Sequence, residues 1–405
     1  MTTGPADGRP FKDDRPSRED RPFKLGFLTH VFGREEPAEL LRRLVELFVA
    51  GEELGFDGGW ISQHHFSPRY GRLPSPLVLL AAAAQATRRI ELGTAVVVLP
   101  LENPIRVAED AAVVDALSGG RLQLGLGTGG PSSPAFAAFG RDADARRESF
   151  TQAIGLLRDL LRGGDVPGTD GLRLQPPAPA LAGRLWDSTS NAAGAAAAAL
   201  AGDGLLLGVG PAGSAQRPLA DMYLRAHAAA HSAATTRSDE TAFSAETAHP
   251  GNRPAARIAV AHGVFPGPDR LTAQRDLAAD IARYRPYLAH FGLPDTADDA
   301  AVLDAMNVHH GPVDMIVESL TANPVGPGFA SYFIAAVQGE AGEAASFDAT
   351  LRRMELIATE IAPALGWRPA TAEPARAGVD GRPAEHVGSA DGIRRQSSGP
   401  GTPVK

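Results

Sequence analysis

Short apolar segments with strand character alternate eight times with segments of helical periodicity along this chain. The apolar segments lie at 23–31, 57–62, 90–99, 121–127, 184–188, 204–209, 257–265 and 329–337. The helical segments lie at 37–54, 75–87, 103–118, 145–162, 192–201, 216–231, 271–291 with a second piece at 312–322, and 343–364. No antiparallel hairpin signal separates the apolar segments. The pattern therefore favours an α/β fold, a (β/α)8 TIM barrel, over a doubly wound sheet.

The two ends of the chain differ in composition from the middle. Residues 1–22 contain no Leu, Ile or Val, and residues 368–405 contain no Leu and no Phe, Tyr or Trp. Segments with so few large apolar side chains bury too little surface to offset the entropy lost on ordering. We therefore predict disordered tails at 1–22 and 368–405 and a single barrel domain at 23–367.

Composition excludes several classes of function. The 39 basic and 47 acidic residues give a net charge of −8, and the basic residues are scattered, so we expect no nucleic-acid partner. The chain has no Cys, which excludes disulfides and thiolate chemistry. Its longest apolar run, at 77–84, is far shorter than the roughly 18 residues that a membrane helix needs, and no apolar targeting segment begins the chain. We expect a cytoplasmic protein without a membrane partner.

A histidine pair follows the second apolar segment, in Gln63-His64-His65-Phe66. A barrel places its active site at the C-terminal ends of its strands, so this pair is a candidate for function. Imidazole titrates near neutral pH, and one histidine here can act as a general acid or base. The alternative is a histidine that only caps a loop. Neighbouring residues in an extended segment point to opposite faces, so we predict no metal site.

The segment 125–130 has the spacing G-x-G-x-x-G and follows the fourth apolar segment. In a dinucleotide-binding fold, a helix starts at these glycines and directs its N-terminus at a pyrophosphate. Here Pro131-Ser132-Ser133-Pro134 follows instead. We interpret the glycines as positions where a flat ligand approaches the backbone closely.

Hydroxyl and amide side chains precede the alanine-rich helical segment 192–201, in Ser188-Thr189-Ser190-Asn191. Such groups at a helix N-terminus can bind a phosphate, and the same groups can serve as an ordinary helix cap. Both interpretations stay open at this point. Elsewhere, we assign Trp60 and Trp186 to the core or the barrel lining, and His309-His310 to a loop or a helix entry.

Several sequence blocks together resemble the bacterial luciferase-like flavin-dependent monooxygenases. The blocks are Gln63-His64-His65-Phe66, 93–100, 103–110 and 115–121, and their order and spacing are similar to the family's. The resemblance is most specific over 25–130, and it returns in the closing stretch 354–366.

The resemblance implies a barrel that binds reduced flavin mononucleotide (FMN) at its C-terminal face. Dioxygen would form a flavin C4a-hydroperoxide that oxygenates a small organic substrate, and a separate flavin reductase would supply the reduced FMN. It also implies a homodimer through the second and third helices, where the run Ala81–Ala84 suits close helix contact.

The family's functional positions fall on particular residues of this chain. His64 falls on the functional histidine, and Ala95-Val96 falls where the family has a cis peptide under the flavin ring. Ser190, Asn191 and Gly194 fall on the phosphate-binding segment. We expect Gly127 and Thr128 to contact the cofactor as well.

The sequence departs from the luciferases themselves at three places. Gln63 replaces a Glu, and Thr128 replaces a basic residue that helps to hold the flavin phosphate. After the seventh apolar segment, Pro266-Gly267-Pro268 leads directly into a helix, where the luciferases have a long mobile segment. We therefore do not expect bioluminescence.

Other functions of the same barrel remain open. One alternative is a deazaflavin-dependent oxidoreductase that transfers hydride, and another is a flavin-binding barrel without turnover. A Schiff-base lyase is excluded because Lys24, the only Lys within 23–367, lies at the start of the first strand.

Overall fold

Eight parallel strands close into a barrel in the computed structural model, which describes residues 21–369 except 34, 67–69, 131–132, 211–212 and 241–254. The strands are β1 Lys24–Thr29, β2 Gly58–Ile61, β3 Glu91–Thr94, β4 Val97–Val98, β5 Leu122–Gly127, β6 Leu185–Ser188, β7 Gly204–Leu207, β8 Ile258–Pro266, β9 Val308–Gly311 and β10 Tyr332–Ala336. The barrel closes because β10 pairs in parallel with both β1 and β8. Strand β4 continues the line of β3, and β9 is an addition outside the barrel. The predicted (β/α)8 TIM barrel is confirmed.

Helices cover the outside of the barrel. They are α1 Pro37–Glu53, α2 Pro76–Ala86, α3 Pro104–Ser118, α4 Ala135–Ala138, α5 Arg146–Leu161, α6 Ala192–Ala201, α7 Gly213–Glu240, α8 Arg270–Asp276, α9 Ala278–Tyr284, α10 Asp299–Ala305, α11 Val313–Ala322, α12 Gly342–Ala345, α13 Phe347–Leu356 and α14 Ala362–Ala364. Turns of 3₁₀ helix lie at Leu99–Leu101, Pro179–Arg184 and Arg285–Phe291, and a π-helical turn lies at Ile357–Ile361. No described helix is both long enough and apolar enough to span a bilayer.

Local sequence explains where α3 begins and ends. The Asn103 side-chain oxygen accepts hydrogen bonds from the backbone N–H groups of Ile105 and Arg106, at 2.9 and 3.3 Å. Pro104 occupies the first turn, where its missing N–H costs nothing. Gly119 ends the helix with a φ of 68°, the left-handed conformation that glycine adopts without strain.

Three large rings fill the inside of the barrel. Trp60, Trp186 and Tyr332 pack edge to face, with ring centroids 5.4 to 6.2 Å apart. Gly93 leaves the room they need, since a Cβ atom there would lie 2.2 Å from the Trp60 ring. The prediction that both tryptophans belong to the core or the barrel lining is confirmed.

The prediction for His309-His310 was wrong. Both residues lie in β9, which pairs with the end of β8 from Gly263 to Pro266, and both are buried. The physical reason is the length of β8, whose nine residues extend beyond its pairing with β7. Strand β9 covers backbone groups that would otherwise form an open sheet edge.

The connection after β8 also differs from the prediction. Instead of one helix over 271–291, the chain forms a long excursion through α8, α9, the 3₁₀ turn at Arg285–Phe291, α10 and β9 before α11 begins. Pro286 cannot continue an α-helix, and Gly292 adopts a left-handed φ of 71°, so the helical pattern breaks there. The expectation that Pro266-Gly267-Pro268 leads into a single helix is therefore wrong. The predicted tails lie almost entirely outside the described residues.

Candidate active site

A cavity of about 500 Å³ opens at the C-terminal ends of the barrel strands. Many of its lining residues lie at or just after the C-terminal ends of six barrel strands: His30, Ser62 to His65, Ala95, Val96, Val98, Gly129, Gly130, Ser188, Gly208 and Val209. This is the end of the barrel where the chemistry was expected. Of the predicted site residues, His64, Ala95 and Val96 line the cavity directly.

Gln63 fixes the backbone at the bottom of this cavity. Its side-chain oxygen accepts a hydrogen bond of 2.7 Å from Val98 N, and its side-chain nitrogen donates to Pro74 O at 3.0 Å and to Glu102 Oε1 at 2.7 Å. One amide therefore ties the end of β2 to β4 and to two loops. A carboxylate at this position could accept from Val98 but could not donate to Glu102, so the amide suits this arrangement.

His64 has a buried ring nitrogen for which the described part of the chain offers no hydrogen-bond partner. Its backbone N–H donates to Leu73 O at 3.0 Å, and its ring lies 6.1 Å from the His30 ring and 6.3 Å from the Tyr70 ring. Within the described residues, the buried Nε2 atom has no hydrogen-bond partner. A buried polar atom in this state costs free energy unless a ligand or water satisfies it.

Burial keeps the imidazoles of this site neutral. Burial first, and then the positive charge of Arg283, lowers the pKa of His64 to about 4. Burial, the neighbouring His64 and Arg283 lower the pKa of His30 to about 3. At pH 7 both rings are therefore uncharged, and each can either donate or accept a proton in a hydrogen bond. His30 was not identified from the sequence, although it directly follows β1 and the strand-end criterion applies to it.

The peptide bond between Ala95 and Val96 is cis, as predicted. Both residues line the cavity, between β3 and β4. Gly127 on the neighbouring strand leaves room for this turn, since a Cβ atom there would lie 2.6 Å from Val96 Cγ2. Gly127 and Thr128 do not line the cavity themselves, but they lead directly into Gly129, which does.

The predicted phosphate segment lies beside the cavity. Ser188 lines it, whereas Ser190, Asn191 and Gly194 do not. The Asn191 side-chain oxygen caps α6 by accepting a 2.9 Å hydrogen bond from Gly194 N. Gly194 is packed so closely that a Cβ atom would lie 2.2 Å from Thr189 Oγ1. The helix-cap interpretation is confirmed, and a role in phosphate binding stays a prediction.

The excursion after β8 supplies a cavity wall that the sequence analysis missed. Arg283, Tyr284, Tyr287 and Phe291 line the cavity, and they come from α9 and the following 3₁₀ turn. Two signals could have revealed them. Pro286 interrupts the predicted helix, and the surrounding segment is unusually rich in Tyr for an exposed helix face.

An aromatic cluster stands beside the cavity next to His65. His65, which lines the cavity, packs edge-on against Phe139 at 5.0 Å, and Phe66 lies 5.5 Å from Phe139. Phe66 is 70% exposed and has a φ of 59°, a backbone conformation that is rare for a large side chain. Exposed rings next to a cavity commonly mark a binding surface.

A family model described as luciferase-like monooxygenase matches residues 23–329. This chain belongs to the luciferase-like monooxygenase family. A relative from Streptomyces nodosus subsp. asukaensis, named 4-hydroxyprotoasukamycin monooxygenase, is 40% identical over 136 residues, or 33% of this chain and 36% of the relative. Matches to the curated relatives cover between 33% and 43% of their length.

Solved structures of similar fold cover nearly the whole barrel. The oxygenating constituent of 3,6-diketocamphane monooxygenase from Pseudomonas putida, in complex with FMN, has a TM-score of 0.64 at 18% identity, covering 84% of this chain and 98% of that one. An F420-dependent secondary alcohol dehydrogenase has a TM-score of 0.60 at 15% identity, covering 85% and 99%. At these identities the similarity establishes the fold alone.

Proposed function

We propose that this protein is an FMN-dependent monooxygenase that inserts one atom of dioxygen into a small organic substrate. A separate flavin reductase would deliver the reduced FMN. The observation that supports this most directly is His64 Nε2, which has no partner among the residues that the structure describes and belongs to the wall of a cavity of about 500 Å³ at the strand ends. The family membership and the monooxygenase relatives agree with it.

The residues around the cavity fit a flat cofactor. Gly130 and Gly208 line the cavity, and a Cβ atom added at either would meet nothing within 4 Å, so the walls there are open and smooth. Ala95 and Val96 provide a small apolar surface for a ring to rest on. Ser188, followed by the N-terminus of α6, would direct hydroxyl and N–H groups at the FMN phosphate.

Bound reduced flavin would supply the electrons and the activation of dioxygen. The protein would bind and orient it, exclude water with Tyr284, Tyr287 and Phe291, and manage protons at His64. Because the pKa of His64 is held near 4, its Nε2 atom would donate or accept a hydrogen bond without carrying a charge. A neutral donor at this position can protect a reactive oxygen species from premature protonation.

A second candidate is hydride transfer with the deazaflavin F420, and a third is flavin binding without turnover. The fold similarity to an F420-dependent dehydrogenase, at a TM-score of 0.60, favours keeping the second candidate. Both cofactors have a flat tricyclic ring that the same cavity would accept.

Cofactor titration followed by reaction with oxygen tests the proposal. Purified protein is titrated anaerobically with reduced FMN and, separately, with reduced F420, and binding is followed by absorbance and fluorescence. We expect tighter binding of FMN and, on mixing with aerated buffer, a delayed release of hydrogen peroxide relative to free reduced FMN. Preferential F420 binding would establish the second candidate. Binding of FMN with peroxide release as fast as in free solution would support the third.

A further inference from the structure

The turn that follows β1 has an unusual backbone conformation. Val31 has a φ of 62°, in the left-handed region that β-branched residues rarely adopt. Its side chain is completely buried, and its backbone is hydrogen-bonded on both sides. Val31 N donates to Thr29 Oγ1 at 3.2 Å, and Val31 O accepts from Arg72 N at 3.1 Å. Strained residues persist where the surrounding structure fixes them, and they cluster at functional sites.

The side chain of Gln338, just after β10, holds both ends of this turn. Its oxygen accepts hydrogen bonds from Thr29 Oγ1 at 2.6 Å and from Phe32 N at 3.0 Å. Its nitrogen donates to Phe32 O at 3.3 Å and to Ala345 O at 3.2 Å. His30 lies between these two fixed points, and it lines the cavity. The turn therefore presents His30 to the cavity from a backbone with little freedom to move.

His30 lies next to His64. The centroids of the two imidazoles are 6.1 Å apart and their planes are inclined by 29°, a separation at which rings interact. Gly71 allows the loop after β2 to approach both histidines closely. A Cβ atom at Gly71 would lie 2.2 Å from His30 O and 2.7 Å from His64 Cδ2. The turn, this loop and the two imidazoles therefore pack together at the cavity wall.

The proposed function gives His64 Nε2 the proton chemistry at the ligand, and the following inference rests on it. We propose that His30 is a positioning residue for His64, whose ring limits the rotation of the His64 imidazole and keeps water away from it. The Nε2 atom, which has no partner among the described residues, therefore meets the ligand in one orientation. A group that acts on a reacting atom needs neighbours that fix its rotamer by packing. The strained turn at Val31 provides such a neighbour.

Other groups also influence the charge of His64. Burial is the largest cause of its lowered pKa, followed by the charges of Arg283 and of His65. The titratable and charged groups around the ring, and around Arg283, are His30, His65, Tyr70, Arg283, Tyr284, Asp280 and Glu340. Replacing His30 leaves the others in the protein. A change in the titration of His64 then reports the loss of the His30 ring.

A histidine titration of flavin-free protein tests the proposal. The Cε1–H signals of isotope-labelled histidines are followed by NMR from about pH 5 to about pH 8, where an ordinary imidazole titrates. His64→Gln identifies the signal of His64. Since the pKa of His64 is about 4 in the wild type, this signal should hardly move. In His30→Ala water reaches the ring, and we expect the pKa of His64 to rise to between about 5.5 and about 6.5.

Three further variants assign the effect to the ring and to its turn. His30→Phe restores a flat ring without its nitrogens and should return the pKa of His64 to the wild-type value. Gln338→Met retains His30 but removes the hydrogen bonds that fix its turn, and should raise the pKa of His64 as well. His227→Ala, on α7 and outside the cavity lining, is the matched control and should leave the His64 signal unchanged.

The signal of His64 also decides against the proposal if it behaves otherwise. An unmoved signal in His30→Ala overturns the positioning role, and so does an equal rise of the pKa in His30→Phe, because packing of the ring would then not be the cause. If His30→Ala does not fold, Gln338→Met decides by the same criterion.

The titration requires no flavin, so its outcome is distinguishable from that of the proposed function. A raised pKa of His64 in His30→Ala, in a protein that does not bind FMN, would leave the positioning role standing and reject the monooxygenase. FMN binding with oxygenation, but with an unmoved His64 signal in His30→Ala, would do the reverse.

Discussion

His262 Nδ1 lies 3.1 Å from His309 Nε2, and this contact joins barrel strand β8 to the added strand β9. The two rings stack at 5.2 Å, and His309 Nδ1 lies 2.7 Å from Ser319 Oγ on α11. Burial lowers the pKa of His262 well below its usual value and that of His309 to about 4, each with a smaller effect from a neighbouring imidazole. The segment between β8 and β9, which carries Arg283, is therefore held to the barrel by a contact between two neutral, buried histidines.

This histidine contact predicts loss of stability in mild acid. Between about pH 6.5 and about pH 4 the unfolded chain binds protons on these imidazoles and the folded protein does not, so the free energy of unfolding falls as pH falls. From about pH 6.5 to about pH 5, His309 alone should contribute about 2 kcal/mol to this loss. Urea unfolding at both pH values should show a smaller loss of the free energy of unfolding for His309→Gln than for the wild type. The control is His227→Gln, on α7. An equal loss in the wild type and in His309→Gln would contradict the prediction.

His64 should control how much of the activated oxygen reaches the substrate. His64→Ala removes the ring that presents Nε2 to the cavity but leaves Gln63 and its three hydrogen bonds in place. With a substrate that the wild type oxygenates, we expect unchanged FMN affinity, product formation reduced by about 10²- to 10⁴-fold, and hydrogen peroxide in its place.

The pH dependence separates this role from a purely structural one. Since the pKa of His64 is about 4, wild-type coupling should be constant above about pH 5.5 and fall as acid protonates the ring. His64→Ala should lack this acid limb, and His65→Ala, a neighbouring control, should retain it. Wild-type coupling in His64→Ala would limit His64 to a structural role.

Asn191→Asp distinguishes the two interpretations of the segment before α6. A carboxylate can still accept the hydrogen bond from Gly194 N, so the helix cap and the stability of the protein should be retained. The added charge would repel a phosphate at the same helix end. We expect FMN affinity to fall by at least about tenfold, or about 1.4 kcal/mol, while the affinity for riboflavin, which has no phosphate, stays the same. Fluorescence titration of both ligands decides the matter, and an unchanged FMN affinity would place the phosphate elsewhere.

The sequence allowed the barrel to be predicted because its strands and helices are encoded locally. Each of the eight apolar segments contains a barrel strand, and Asn103 with Gly119 bounds α3 by short-range hydrogen bonds and a left-handed φ. The strand-end criterion then found His64, whose position depends only on the end of β2. Such features need no knowledge of distant contacts.

Several of the missed features depend on contacts between distant parts of the chain. His309 and His310 lie in a strand only because β8 extends past its pairing with β7, and nothing next to them in sequence indicates that. Arg283 resembles any arginine of a surface helix until Asp280, Phe32 and Glu340 are brought around it. Ala83 and Ala84, expected to serve helix contact between subunits, are instead buried within the subunit.

The homodimer prediction concerns α2 and α3, and both helices carry exposed apolar side chains. Val78 on α2 is 73% exposed, and Val113 and Leu117 on α3 are 43% and 48% exposed. A pair of helices with three exposed aliphatic side chains suits a self-complementary interface. We expect a dimer by light scattering at micromolar concentration and a monomer for Val78→Asp/Leu117→Asp. Leu271→Asp, at another exposed leucine, should stay dimeric, and a monomeric wild type would reject the prediction.

Asp187, on β6 next to Ser188, shares one arginine with a second buried carboxylate. Arg158 Nη2 lies 3.0 Å from Asp187 Oδ2, and the same guanidinium donates to Asp203. Burial, and then the charge of Asp203, raises the pKa of Asp187 to about 8 despite this arginine. At neutral pH the Asp187 carboxyl therefore keeps its proton in the folded protein, whereas in the unfolded chain it ionises above about pH 4.

Asp187→Asn should therefore change how stability depends on pH. From about pH 4 to about pH 8 the folded wild type holds a proton that the unfolded chain has lost, so its free energy of unfolding falls with rising pH, by up to about 1.4 kcal/mol per pH unit. The amide cannot ionise, and the variant should lack this slope, so that its stability relative to the wild type increases steadily up to about pH 8. Urea unfolding across this range measures the difference, with Asp165→Asn, at an exposed carboxylate, as the control. Parallel stability curves for Asp187→Asn and the wild type would show that Asp187 is ionised in the folded protein, and that Arg158 keeps both carboxylates ionised next to the proposed phosphate site.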